Sequence, residues 1–169
     1  MTGNVRQVIH LGMFAAAAAI LSVIDLRITL FAGMPGLKLG LANMATLVAL
    51  AIFDARAVFL IVVSRVCLGA LLGGGGFGPA FAVSFSAGIA STGIMLYGYR
   101  RWQPCLSIVG ISVAGAIVHN FVQLTVAALL LDSSTVYHYL PYMTLAGTLT
   151  GAVIGCAAMP VTQRLRHCC

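Results

Sequence analysis

Hydrophobic residues in this chain fall in long unbroken runs, without the one-faced spacing of a soluble helix or the alternation of a half-buried strand. Runs close to the roughly twenty residues that an α-helix needs to cross a hydrocarbon core occupy 8–31, 37–53, 57–72, 79–98, 105–131 and 140–160. Their continuity argues against a transmembrane barrel, whose strands alternate. Prolines divide the runs. Pro35-Gly36 precedes the second, Pro79 opens the fourth, Pro104 the fifth and Pro141 the sixth, and Pro160 closes the last. The third run is the shortest, and Asp54 with Arg56 marks a tight turn before it. The pattern predicts an all-α integral membrane protein with about six transmembrane helices, forming a single polytopic domain over residues 1–169. The first run extends too far and lacks a small-residue cleavage site, so it is expected to remain as an anchor.

Composition excludes whole classes of function. Of the residues, 61% are apolar and only 7% are charged, and no water-soluble surface can be built from that mixture. There is no Glu, and the carboxylates are Asp25, Asp54 and Asp132. The net charge of +6 therefore reflects missing acids more than a basic patch, which makes a nucleic-acid partner a poor reading. Cys67, Cys105, Cys156, Cys168 and Cys169 form no CxxC and share no ligand spacing with His, so neither a metal site nor a cofactor is expected. Arg6, Arg56, Arg100, Arg101, Arg164 and Arg166 fall on one side of a six-span thread, which predicts cytoplasmic N and C termini in a cell membrane.

Polar side chains within spans are the candidate chemistry, because desolvating an ionisable group is costly. Asp25, Lys38, Asn43, Arg65, His119, Asn120 and Gln123, with Thr144 and Thr148, are all placed from the middle of the membrane outward. That asymmetry suggests an outward-opening cavity. His119 and Gln123 are four residues apart and share a helix face, while Lys38 and Arg65 outnumber Asp25. The excess positive charge would suit a small anionic or polar ligand. Each residue also has a plainer reading: Lys38 can snorkel to the interface, Asp25 can serve Arg65 structurally, and His119 can be an interhelical polar contact. Arg65, near the centre of its run, is the hardest to explain that way.

Small residues supply the remaining signals. Ala15 and Ala19, spaced by four in an alanine run, would let another helix approach closely, either from a partner or from within the chain. Gly147, Gly151 and Gly155 repeat the spacing, and there packing inside the chain is the better explanation. Gly74, Gly75, Gly76 and Phe77 form a flexible loop suited to gating a pocket. No Gly-Lys-Ser/Thr follows, so the loop is not a phosphate-cradling P-loop.

The segment from Pro35 through Lys38 to Asn43, followed by Arg65 with Leu68-Gly69, the glycine-rich turn into Pro79-Ala80-Phe81, and His119-Asn120 with Gln123, resembles the Gx transporter family. That family is also labelled heptaprenyl diphosphate synthase component I. More distantly, the size, the spans and the small-residue first helix resemble the substrate-binding S-components of energy-coupling factor importers. That likeness implies an S-component-like bundle with Ala15 and Ala19 docking onto a transmembrane scaffold, alongside ATPase subunits. It also implies a ligand pocket beneath loops 32–37 and 73–78.

Three functions follow as expectations. The first is a non-catalytic subunit that captures a small-molecule ligand for import and relies on partners for energy. The alternatives are a membrane accessory component of isoprenoid or heptaprenyl diphosphate biosynthesis, and a stand-alone secondary carrier. Prenyl elongation itself needs clustered aspartates to hold magnesium, and the three here lie 29 and 78 positions apart.

Overall fold

The structure is a computed structural model that describes residues 2–31, 40–74, 76–101 and 106–167. These residues form α1 (Thr2–Phe31), α2 (Leu41–Ile52), α3 (Ala55–Leu72), α4 (Pro79–Arg101), α5 (Ile108–Leu131) and α6 (Leu140–His167), with a short 3-10 helix, Ser134–Tyr139, before α6. The chain is an all-α membrane protein, with five helices among the described residues long and apolar enough to cross a bilayer.

The second predicted span is corrected. Residues 37–39 lie outside the described residues, and α2 has only 12 residues, about 18 Å of helix at 1.5 Å per residue against a core of roughly 30 Å. It is α2, therefore, and not α3, that is shortest. Its apolar composition is explained by burial inside the protein, since Ala45, Leu47, Ala49 and Leu50 all belong to the core. Hydropathy cannot distinguish such a helix from one facing lipid. Pro160 does not close the last span either, because α6 runs through it to His167. Pro79 opens α4 as expected.

Sequence chemistry sets several of the ends. The Ser107 side chain accepts from the Gly110 amide at 3.2 Å and caps α5. After α3 the amide of Gly73 bonds Gly69 O at 2.8 Å, and Gly74 takes φ +74, a left-handed conformation that glycine adopts freely. Asp54, in an extended conformation, separates α2 from α3 in a tight turn.

Helix directions follow from pairs of contacts. Phe14 meets Phe53 edge to face at 5.3 Å, whereas Ser22 lies against Gly69, so α1 runs parallel to α3. Met95 and Ser91 of α4 meet Gly115 and His119 of α5, an antiparallel pair. Gly155, Gly151 and Gly147 of α6 oppose Val109, Val113 and Asn120 of α5, again antiparallel. Packing proceeds around a ring, α1–α3–α4–α5–α6–α2 and back to α1, and α2 touches every other long helix. Both ends of the thread consequently lie at the end of the bundle that carries Arg56, Arg100 and Arg101.

Candidate functional site

Ionisable and amide side chains from four helices converge part-way along the bundle. A small, partly open cleft of about 30 Å³ is lined by Asp25 of α1, Gly40 and Asn43 at the start of α2, Ala116, His119 and Asn120 of α5, and Gly147 and Thr150 of α6. The short α2 creates this position. It begins where a full-length span would still be continuing, so its first turn ends against side chains of its neighbours. His119 is eleven residues into α5, about 16 Å from that helix's start at 1.5 Å per residue, which places the cleft near the middle of that helix.

Asp25 is 2% exposed, and its Oδ2 accepts from the Gly40 amide at 3.0 Å. A carboxylate thus sits at the positive end of the α2 dipole, where an anion is favoured. Gly40 has φ +78 and lies against Ile154, so a side chain there would be strained and crowded. Asn43 is 7% exposed, and its backbone N–H donates to Gly40 O at 2.8 Å.

Arg65 is 3% exposed and halfway along α3. Its Nη2 lies against Gly88 of α4, and Asp25 is its electrostatic neighbour. Its Nε and Nη1 have no hydrogen-bond partner among the described residues. Two unbonded guanidinium donors inside a membrane are costly, and burial this complete denies them lipid head groups. Arg65 does not line the cleft itself.

His119 is held by a long contact of 3.5 Å between Nδ1 and Ser91 Oγ. The Ser91 hydroxyl also donates to Gly88 O at 3.1 Å. Asn120 donates from Nδ2 to Met143 O at 2.7 Å, tying α5 to α6. A Cβ on Gly147 would collide with that amide nitrogen, so glycine at 147 is what admits Asn120.

The structure brings Asp25, Asn43, His119 and Asn120 together and leaves others aside. Gln123, buried one turn beyond His119, is not on the cleft wall. Thr144 and Thr148 donate to carbonyls of their own helix, Leu140 O and Leu145 O, and do not line it. Lys38 and Gly75 lie outside the described residues. Gly74, Gly76 and Phe77 form the α3–α4 turn, with Phe77 exposed and edge-on to Phe81; none of the three lines this cleft. Ala15 and Ala19 are 8% and 1% exposed, so their face of α1 is already covered by the chain's own helices and does not form an external docking surface.

Sequence reasoning passed over Gly40, Ala116, Gly147 and Thr150 as cleft residues, and Ser91 as the support of His119. Gly40 sits within the distinctive 35–43 segment, and Thr150 lies one turn from Gly147, so proximity to residues already singled out was the available signal. Nothing in the one-dimensional pattern marked Ser91.

Neither a curated protein nor a solved structure matches the chain, so the likeness to importer S-components carries no structural argument. A family match does cover the cleft and nearly all of the bundle, from residue 14 to residue 161 of 169. On that match the chain belongs to the family described as heptaprenyl diphosphate synthase component I.

Proposed function

We propose that this chain is a non-catalytic membrane component of a heptaprenyl diphosphate synthase system, holding a small polar or anionic ligand in its intramembrane cleft for a partner subunit. The observation that carries this reading is the polar cleft of Asp25, Asn43, His119, Asn120 and Thr150, enclosed by helices that the family match spans. Buried polar groups on several helices cost stability unless they are used, and the middle of a membrane is where their cost is greatest. The description "component I" itself implies partner subunits. A non-catalytic role fits the acids. Asp54 caps α3 at one end of the bundle, Asp132 caps α5 at the other, and Asp25 is in the cleft between them, so no two can share the magnesium that prenyl elongation requires.

A second reading is retained for one observation. Transporters use short helices whose N-termini meet a binding site inside the membrane, and the start of the 12-residue α2 at the cleft is what favours this reading. On this reading the chain is an importer's capture subunit served by a scaffold and ATPases. In both readings the bundle lies in the cell membrane with Arg56, Arg100 and Arg101 on the cytoplasmic side.

Gentle solubilisation from native membranes followed by native mass spectrometry separates the two. A co-purifying soluble prenyl synthase and a retained ligand are expected. Recovery with ATPase subunits would overturn the synthase reading in favour of import, and recovery with neither partner nor ligand would overturn both.

A further inference from the structure

We infer that the outward face of α4 is a binding site for one anionic phospholipid, from the leaflet at the Arg100–Arg101 end of the bundle, a reading that stands apart from the cleft. The two sides of this helix differ. Gly88, Ser91 and Met95 meet α3 and α5, so the opposite face carries Arg101, Tyr97, Gly93 and Ser86, set four, four and seven residues apart. From the end of the bundle inward, that face repeats the order of groups along a phospholipid. Arg100 and Arg101 come first, both exposed, and no hydrogen bond or ion pair holds either guanidinium among the described residues. Tyr97 follows, 53% exposed, a ring with a polar tip of the kind that sits at head-group depth. One turn deeper, a Cβ on Gly93 would have nothing within 4 Å, which leaves an open notch beside the helix. Ser86 lies deeper still. Its hydroxyl is turned back onto Ala82 O at 2.8 Å and Val83 O at 3.1 Å, so that surface shows hydrocarbon no unbonded donor.

Length and charge select the occupant. Fifteen residues separate Ser86 from Arg101, about 22 Å of helix at 1.5 Å per residue, which matches one leaflet of a bilayer roughly 40–45 Å thick. Two unpaired arginines favour a head group with net negative charge over a zwitterionic one, whose ammonium offsets its phosphate. Each guanidinium can also bond two phosphate oxygens at once.

Native mass spectrometry of the full-length chain in detergent tests this, with phosphatidylglycerol, phosphatidylcholine and soluble glycerol 3-phosphate as probes. The parent is expected to retain phosphatidylglycerol about tenfold or more over phosphatidylcholine and to bind no glycerol 3-phosphate. Arg100→Gln combined with Arg101→Gln should abolish the preference. Arg56→Gln, at an exposed arginine of the same end but on α3, should leave it intact. Gly93→Leu, which fills the notch, should weaken both lipids alike. Circular dichroism confirms that each variant is folded. Equal retention of the two lipids by the parent overturns the inference, and so does an equal loss from Arg56→Gln, which would mean surface charge without a site. Glycerol 3-phosphate held as tightly as the lipid would overturn it in favour of a soluble anion. A dimeric parent that Gly93→Leu makes monomeric, with lipid retention unchanged, would overturn it in favour of a second copy of the chain.

Discussion

Asp25 and Gly40, fifteen residues apart in sequence, are joined by a 3.0 Å hydrogen bond from the Gly40 amide to Oδ2, and this bond fixes where α2 begins against α1. Replacing Asp25 with Ala leaves that part-buried amide without its acceptor, at a cost of about 1–3 kcal/mol. Replacing it with Asn keeps the bond. Thermal unfolding in detergent should therefore show a clear loss for Asp25→Ala and a smaller one for Asn; equal losses would mean that the bond contributes little.

Arg65 and Asp25 should also be coupled in stability. Arg65→Met leaves a buried carboxylate without its positive neighbour, a change that costs several kcal/mol where such pairs are broken on one side. Adding Asp25→Asn to Arg65→Met should restore part of the loss. A double-mutant cycle with a coupling of about 1 kcal/mol or more is expected, whereas strict additivity would show that the two residues act independently.

The α5–α6 contact predicts a graded response to side chains at glycine. A Cβ on Gly155 would sit 2.6 Å from Val109 Cα, and one on Gly151 would sit 3.0 Å from Val113 Cα. Gly155→Ala should destabilise by about 1–3 kcal/mol, as overpacking does. Gly12→Ala, with nothing within 4 Å, is the matched control and should be neutral or slightly stabilising. Similar unfolding temperatures for the two variants would refute the close approach.

Orientation is open to labelling. In a chain whose own cysteines are replaced, a cysteine at Phe77 should react with an impermeant maleimide added outside intact cells. One at Arg101 should react only after permeabilisation. The reverse pattern would invert the bundle.

Much of this protein was legible in one dimension. Long apolar runs, few charges and proline punctuation establish an all-helical membrane chain, because a hydrocarbon solvent leaves the backbone little other choice. Intramembrane Asp25, Arg65 and His119 stand out for the same reason: each is conspicuous by its cost. The sequence also suggested that Gly147, Gly151 and Gly155 pack within the chain, and they do so on α5.

Tertiary structure decided the rest. Hydropathy reads α2 as a span because it is apolar, yet it is buried among the other helices, and an apolar helix surrounded by protein has the same composition as one surrounded by lipid. The alanines of α1 carry the same ambiguity, since small residues serve an external partner and an internal neighbour equally well until the neighbour is placed. Which polar groups share a cleft depends on helix rotation and the point where α2 starts. These are set by non-local contacts such as Asp25 with Gly40 and Asn120 with Met143, which no local pattern encodes.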